Sequence, residues 1–573
     1  MNKSPEMSHE QVNDVPVIMH TITSVLGLDG LLDDLVPRHG NRTGLSIGKT
    51  MAGWLTHILS ECNHFMSPVQ DWANHLTHTL SILLGQAVQA GDFTDDRLAE
   101  VAYTLSFDAV WHELERGVTR RAVRVYELPT ERVRLDTTTA KVYGGDAASV
   151  LFQRGHSKDH RPDLRQFKVM LAALDPLGLL VGADVLAGQT ADDSLYVPMM
   201  MRIRETLKPA GLLFVGDCKM GALSTRAYAQ ATGNTYLMPL AQVGRVPAEL
   251  AGWVERALSK QVKLKCWCDD ENHVAAEGYE VTRSVTGQPP ELTDLPEVTW
   301  TERVLIVRSL SFAKAARRGL RERLDHARAE LLALTPPPGR GRRSFTEQAP
   351  VQEAAQAILD RHNVVGLLTF SLVCHAERRD VRAYGNRPAR TEERIHYTLT
   401  VQSQPQAIRD HERTLGWRAY VTNAAPEQLS FEQAVQAYRD EWLIERDCAR
   451  LKGRILSLAP LWVSREDHAI GLTRLLTLAA RVLALVEYDV RRKLKARGQS
   501  LAGLYPGQPT RVTDQPTTER LLKAFDRIAL VVIHAGRKVQ QLLTPLNDLQ
   551  RAILDLLDYP SDLYERLVDN SAY

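Results

Sequence analysis

Cysteine is scarce. Six stand in 573 residues, at Cys62, Cys218, Cys266, Cys268, Cys374 and Cys448. Their scatter excludes a disulfide framework and points to a reducing compartment. Cys266-Trp-Cys268 has no second pair, so zinc-finger spacing is absent. Net charge is almost missing too: 70 Lys+Arg against 69 Asp+Glu leave +1. That excludes a basic tail protein but allows local segregation of charge. No apolar run is long enough to span a bilayer. The longest, Leu475–Tyr488, is interrupted by Arg481 and reads as a buried helix. The opening MNKSPEMSHEQVNDV has no apolar core, so no secretory signal is expected. There is no internal repeat and no P-loop, and ATP is not implied. What remains is ordinary for a globular chain: 44% hydrophobic and 24% charged, with length for about three or four domains.

One stretch stands out, Tyr438–Lys452, reading YRDEWLIERDCARLK. It has no Gly or Pro, and Ser430 with Gln433 three residues on forms a capping box pattern. At 100° per residue, Tyr438, Glu441, Glu445 and Lys452 share one helical face, with Trp442 beside them. A phenol, carboxylates and an ammonium in one stripe suit a site for metal and phosphate. Taken alone, such a stripe is first of all the solvated face of an amphipathic helix, and only the two upstream aspartates make it more.

Ahead of it, residues 1–15 are polar and expected to fray. Helical periodicity then runs from Val17 to Glu127, with Arg42, Lys49, Arg97, Arg120, Arg121 and Arg124 spread through it. At Glu131 the pattern turns to strands: Arg132–Leu135 ending on Asp136, then Phe167–Leu174, a turn at Asp175-Pro-Leu-Gly178, and Leu179–Leu186. A helix is expected over Thr190–Leu207, interrupted at Pro198. Strands at Gly211–Gly216, ending on Asp217, and at Asn234–Leu240 complete an α/β layout with a mixed sheet. Asp136 and Asp217 thus fall at strand ends, where open α/β sheets gather their chemistry.

Strands dominate the reading from 241 to 410. Its one helix, Phe312–Leu334, is strongly basic, with Lys314, Arg317, Arg318, Arg321, Arg323 and Arg328, and Gly339–Arg343 adds charge. Phosphate contact and a plain solvated face are both open for it. After the Tyr438 helix come helices over Asp467–Arg497, Thr517–Ile533 and Thr544–Asp558.

Asp136, Asp217 and Glu445 are far apart in sequence, yet two strand ends and a later helix can converge. Three carboxylates at one point repel unless cations lie between them. Mg²⁺ prefers oxygen ligands, and two such ions about 3.5–4 Å apart can activate a hydroxyl nucleophile and stabilise a leaving oxygen.

These residues resemble those of prokaryotic insertion-sequence transposases of the DDE class. Tyr438, Glu441, Glu445 and Lys452 match the spacing of that family's Tyr-x2-Arg-x3-Glu-x6-Lys helix. Leu135-Asp-Thr-Thr-Thr139, Gly155–Leu164, Val215–Ser224 and Leu451–Pro460 also resemble family segments. The resemblance implies a ribonuclease-H-like core, a mixed sheet with flanking helices, that carries a largely β insertion. It implies Asp136, Asp217 and Glu445 as catalytic residues and metal ligands for two Mg²⁺ ions, with Mn²⁺ able to substitute. Tyr438 and Lys452 would contact DNA, joined by Arg439, Arg446, Lys314, Arg317, Arg318 and Arg321. The implied partner is double-stranded DNA, both element ends and target, held by a homodimer in a synaptic complex. The expected location is the bacterial cytoplasm, at the nucleoid when bound, with no membrane partner.

The expected domains are a disordered tail (1–15), a helical DNA-binding domain (16–128), the first part of the core (129–240) and the insertion (241–410). The second part of the core (411–500) and a helical C-terminal region (501–573) follow. Glu441 departs from the pattern, which has Arg there, and a carboxylate cannot grip phosphate as a guanidinium does. That departure keeps two alternatives open: an inactive DNA-binding relative, and a metal-dependent nuclease of the same fold.

Overall fold

The structure is a computed structural model. It describes residues 6–37, 40, 43–143, 148–155, 161–336, 345–385, 388–535 and 538–568. Arg42, residues 156–160 of the motif after Asp136, and Gly339–Arg343 lie outside the described residues. The chain divides into two units. Residues 1–238, 284–300 and 437–573 form the first, and residues 239–283 with 301–436 form the second.

In the first unit the chain starts with β1 (Glu6–Gln11), where polarity predicts fraying. The strand instead pairs antiparallel with the distant segment Ala529–Ala535. Helices α1 (Val15–His20), α2 (Leu28–Leu35), α3 (Ile47–Glu61), α4 (Val69–Asn74), α5 (Thr77–Leu83), α6 (Asp95–Ser106) and α7 (Asp108–Tyr126) follow. Ser46 caps α3 by accepting the Lys49 N–H at 3.3 Å, which satisfies one orphan donor of the first turn.

Five strands then build a mixed sheet: β2 (Arg132–Val142), β3 (Arg165–Leu174), β4 (Leu179–Ala187), β5 (Leu213–Gly216) and β6 (Thr235–Pro239). Their order is β4-β3-β2-β5-β6. The β2–β3 and β3–β4 pairs are antiparallel, and the β2–β5 and β5–β6 pairs are parallel. The sequence reading ends β2 at Leu135. The strand continues to Val142, paired with β3 throughout, because Thr137, Thr138 and Thr139 are β-branched and sit well in a pleated, buried position. The expected turn at Asp175–Gly178 joins β3 to β4. Gly178 has φ +74, and a Cβ there would come within 2.9 Å of Asp447 Oδ2. Helices α8 (Tyr196–Thr206) and α9 (Leu223–Ala231) flank β5 in sequence. Pro198 does not interrupt α8. It sits in the first turn, where backbone N–H groups have no helical partner to lose.

The second unit is richer in helix than the sequence suggests. It contains α10 (Val246–Leu258), β7 (Lys265–Cys268), most of β8 (Val274–Gly287) and β9 (Val298–Ser309), α11 (Leu310–Ala333) and α12 (Gln348–Arg361). A long antiparallel pair, β10 (Leu368–Val381) with β11 (Arg390–Ser403), is followed by α13 (Pro405–Thr414) and β12 (Trp417–Thr422). β12 runs antiparallel to β9. The basic helix is α11. Its buried stripe of Ala313, Leu320, Ala327 and Leu331 shares a core with Val351, Ala355 and Ile358 of α12. That stripe orients α11, and its cations occupy the remaining face.

The chain returns to the first unit through α14 (Phe431–Arg439). The capping box is present: Gln433 N–H donates to Ser430 Oγ at 3.2 Å, and Ser430 N–H donates to Gln433 Oε1 at 2.9 Å. The single helix expected over Tyr438–Lys452 is two. α15 (Trp442–Lys452) starts afresh after a tight turn in which Glu441 N–H reaches Tyr438 O and Leu443 N–H reaches Asp440 O.

α16 (Glu466–Arg497) is, among the described residues, the one unbent helix long and apolar enough to cross a membrane, and 94% of its apolar window is buried in the protein. Arg481, which breaks the apolar run, is a gripping point. Its Nη2 donates to Glu115 of α7 at 2.5 Å, and its guanidinium lies 5.8 Å from the Trp111 ring centre. The C-terminal part holds β13 (Leu501–Ala502), β14 (Val512–Thr513), α17 (Thr518–Lys523), β15 (Ala529–Ala535), β16 (Lys538–Leu543) and α18 (Asp548–Leu556). A helix is expected through Ile533, but Ala-Leu-Val-Val-Ile is β-prone and β15 is paired on both sides.

Candidate functional site

Two aspartates meet because of strand register. Leu135 and Gly216 are the last registered pair of the parallel strands β2 and β5. Asp136 comes next on β2, inside a strand that runs on to Val142 and not at a strand end as expected, and Asp217 directly follows the end of β5. They line a narrow cleft together with Arg134, Tyr438, Glu441 and Ile444. The cleft encloses about 10 Å³, the room of roughly one water.

Each aspartate is held. Asp217 Oδ1 accepts the Tyr196 hydroxyl at 2.7 Å and the Lys219 N–H at 2.9 Å. Asp136 Oδ1 accepts the Thr137 N–H at 2.7 Å. Burial raises the Tyr196 phenol pKa, and the negative charges of Asp217, Asp136 and Asp192 raise it further. Tyr196 therefore stays protonated and remains a donor to Asp217. Arg134 is 1% exposed and ties its Nε and Nη2 to Asp175 at 2.6 and 2.7 Å, while its Nη1 has no hydrogen-bond partner. Neither Tyr196 nor Arg134 is singled out by the sequence. A lone tyrosine in a helix carries no local signal, whereas an arginine between Val133 and Leu135 on an inner strand is a readable anomaly.

The third side of the cleft comes from the start of α15. Glu441 stands at the N-cap position of that helix without a side-chain capping bond, and hydrogen-bonds to Tyr438. Burial raises its carboxyl pKa, and the charges of Glu445, Asp136 and Asp217 raise it further, against the lowering effect of the Tyr438 bond. Glu445, Asp136 and Asp217 are thus near enough for their charges to act on Glu441. The sequence points to Glu445 as the third acid. Glu445 lies one turn along α15 and is exposed, whereas Glu441 lines the cleft. The clue available in the sequence was their i,i+4 spacing, which puts both on one face.

The remaining cations named from the sequence are spread out. Arg439 is exposed at the end of α14, and Lys452 is half-buried at the end of α15. Arg446 donates to Glu487 at 2.9 Å and to the Leu177 carbonyl at 2.6 Å, with its guanidinium 5.3 Å from the Trp442 ring centre. In the second unit, Lys314, Arg318 and Arg321 are exposed on α11 and Arg317 is half-buried. Arg318 pairs with Glu322 at 3.9 Å and Arg321 with Glu412 at 3.5 Å.

Among the described residues, no group of three or more His, Cys, Asp and Glu side chains is arranged to hold a metal ion. The donor chemistry nonetheless suits Mg²⁺, which commonly binds through one or two carboxylates and keeps several waters. Asp136 and Asp217 supply that pair, and Glu441 adds a further carboxylate to the cleft lining. The residues fit a two-carboxylate site, not a preformed three-carboxylate cage.

Fold and cleft together define a mixed α/β protein with an acidic cleft beside its parallel strands. No protein-family model matches the chain, and no curated protein matches it. Among solved structures it is similar to a piggyBac transposase synaptic complex with hairpin DNA, at TM-score 0.25 and 9% identity over 50% of this chain. The chain spans 60% of that chain's length. A likeness this slight carries no argument about activity.

Proposed function

We propose that this chain is a DNA transposase of the DDE class, with a ribonuclease-H-like core. It would bind the inverted repeats of an insertion sequence, cut at the ends and join the 3′-hydroxyls to target DNA. The carrying observation is the emergence of Asp136 and Asp217 side by side from registered parallel strands, with Glu441 and Tyr438 closing the cleft. The sheet order β4-β3-β2-β5-β6, antiparallel on one flank and parallel on the other, supports the core assignment.

Asp136 and Asp217 would hold Mg²⁺, or Mn²⁺ in its place, with Glu441 and Glu445 of α15 as the further carboxylates. When bound, the metal supplies activation of a hydroxyl nucleophile and stabilisation of the leaving oxygen. The protein's own part is positioning. Tyr196 and the Lys219 N–H orient Asp217, the Thr137 N–H orients Asp136, and Tyr438 orients Glu441. The cations of α11, Arg439 and Lys452 would meet DNA phosphates. Two copies would pair the element's ends, in the bacterial cytoplasm.

Two observations favour a second reading. The narrow cleft and the lack of a three-ligand group among the described residues suit a chain that binds DNA ends without cutting them. A strand-transfer assay with pre-cut 3′-hydroxyl ends and Mg²⁺ separates the readings. Joined product supports the transposase. Hydrolysis without joining indicates a nuclease, and end binding with no chemistry indicates the inactive relative.

A further inference from the structure

The hairpin of β10 and β11 has strands of 14 residues each, but its support ends early. Leu368 and Leu399 are buried in the core shared with α11 and α12, and Phe370, Leu372, Tyr397 and Val401 pack against it. From Val373 to Asp380 every residue of β10 is exposed. A two-stranded hairpin with no core is marginally stable in water. The outer part of this arm therefore lacks the burial that holds its base.

His375 and His396 stand where that support stops. They are direct cross-strand partners, on the face opposite Leu372 and Leu399, because side chains alternate along a strand. His375 is exposed and His396 half-buried. Their ring centres lie 4.9 Å apart, with 16° between the planes. Among the described residues neither ring makes a hydrogen bond or an ion pair. The spacing matches the bite of a chelate. An ion about 2.0–2.1 Å from one nitrogen of each ring lies about 3.2 Å from each ring centre, so centres about 5 Å apart suit a near-tetrahedral angle. Stacked rings need a turn about Cβ–Cγ, a broad torsion, to aim both nitrogens at one point. The exposed His375 has room to make it.

We propose that His375 and His396 chelate one divalent transition-metal ion of the Zn²⁺, Ni²⁺ and Cu²⁺ class, which clips the arm's two strands together where the core ends. Imidazole nitrogen suits these ions, whereas Mg²⁺ takes oxygen ligands. The clip is a two-ligand site, with water in the remaining positions. It lies wholly in the second unit and does not depend on the proposed function.

The test titrates Ni²⁺ calorimetrically into the untagged full chain, with excess Mg²⁺ present to fill oxygen-donor sites. One saturable event is expected. His375→Ala and His396→Ala should each weaken it about tenfold or more, since loss of even a ligand's hydrogen-bond partner costs that much. Hydrogen exchange read by mass spectrometry gives the second measurement. Ni²⁺ should slow exchange across residues 373–398 in the parent and in neither variant. Both side chains lie on the face away from the core, so both variants should melt as the parent does without the ion. Unchanged affinity in both variants places the ion elsewhere and overturns the assignment. No saturable binding overturns it in favour of a plain packing pair. Binding that depends on both histidines but leaves exchange in the arm unchanged overturns the clip. None of these results bears on cutting at the acidic cleft.

Discussion

The hydroxyl of Tyr196 donates to Asp217 Oδ1 at 2.7 Å, from a position buried against the sheet. It fixes one of two neighbouring aspartates without touching the cleft itself. Tyr196→Phe removes that donor and leaves the ring in place. A hydrogen bond to a charged group contributes about 1.5–3 kcal/mol. The Mg²⁺ concentration for half-maximal cleavage should therefore rise about tenfold or more. DNA affinity, measured without metal, should stay as in the parent.

Glu441 and Glu445 compete for the part of third acid. Since Glu441 lines the cleft and Glu445 is exposed one turn on, Glu441→Gln should reduce strand cleavage at least as much as Glu445→Gln. Single-turnover rates on one DNA substrate compare them directly. A silent Glu441→Gln beside an inactive Glu445→Gln would return the role to Glu445.

Much of this arrangement was readable beforehand. The strand runs around Asp136 and Asp217, the turn at Asp175–Gly178 and the capping box at Ser430 all carry local signals, and all are present. Two of the misses share a cause, which is dependence on partners distant in sequence. β1 exists because β15 pairs with it, and β2 outruns its expected end because β3 continues alongside. The break between α14 and α15 puts Glu441 at an N-terminal helix position beside the cleft, and no periodicity in YRDEWLIERDCARLK marks it.

Asp447 should make stability fall with rising pH. Burial lifts its carboxyl from 3.8 to about 8, against the lowering pull of Arg446 and Arg450. The folded chain keeps a proton that the unfolded chain releases above about pH 4. Stability from this group is complete below the unfolded value and is lost as pH climbs through the folded one, at up to about 1.4 kcal/mol per pH unit. Asp447→Asn imitates the protonated form and should flatten that slope. Urea midpoints of parent and variant, taken at both ends of the window, measure it.

Glu487 is 3% exposed and answers Arg446, Arg450 and Arg491 together. Removing it leaves three guanidiniums converging with no shared counter-charge. Glu487→Ala should destabilise the chain by about 3–5 kcal/mol, read as a lower denaturant midpoint with an unchanged m-value.

The central claim is that Asp136 and Asp217 form a metal-dependent cutting site. Nicking of a plasmid that carries the element's ends, with and without Mg²⁺, tests it in the parent, Asp136→Asn and Asp217→Asn. The account predicts Mg²⁺-dependent nicks at the ends in the parent, none in either variant, and end binding retained in all three. Nicking by either variant at the parent's rate, or equal cutting by the parent in chelator, would contradict it.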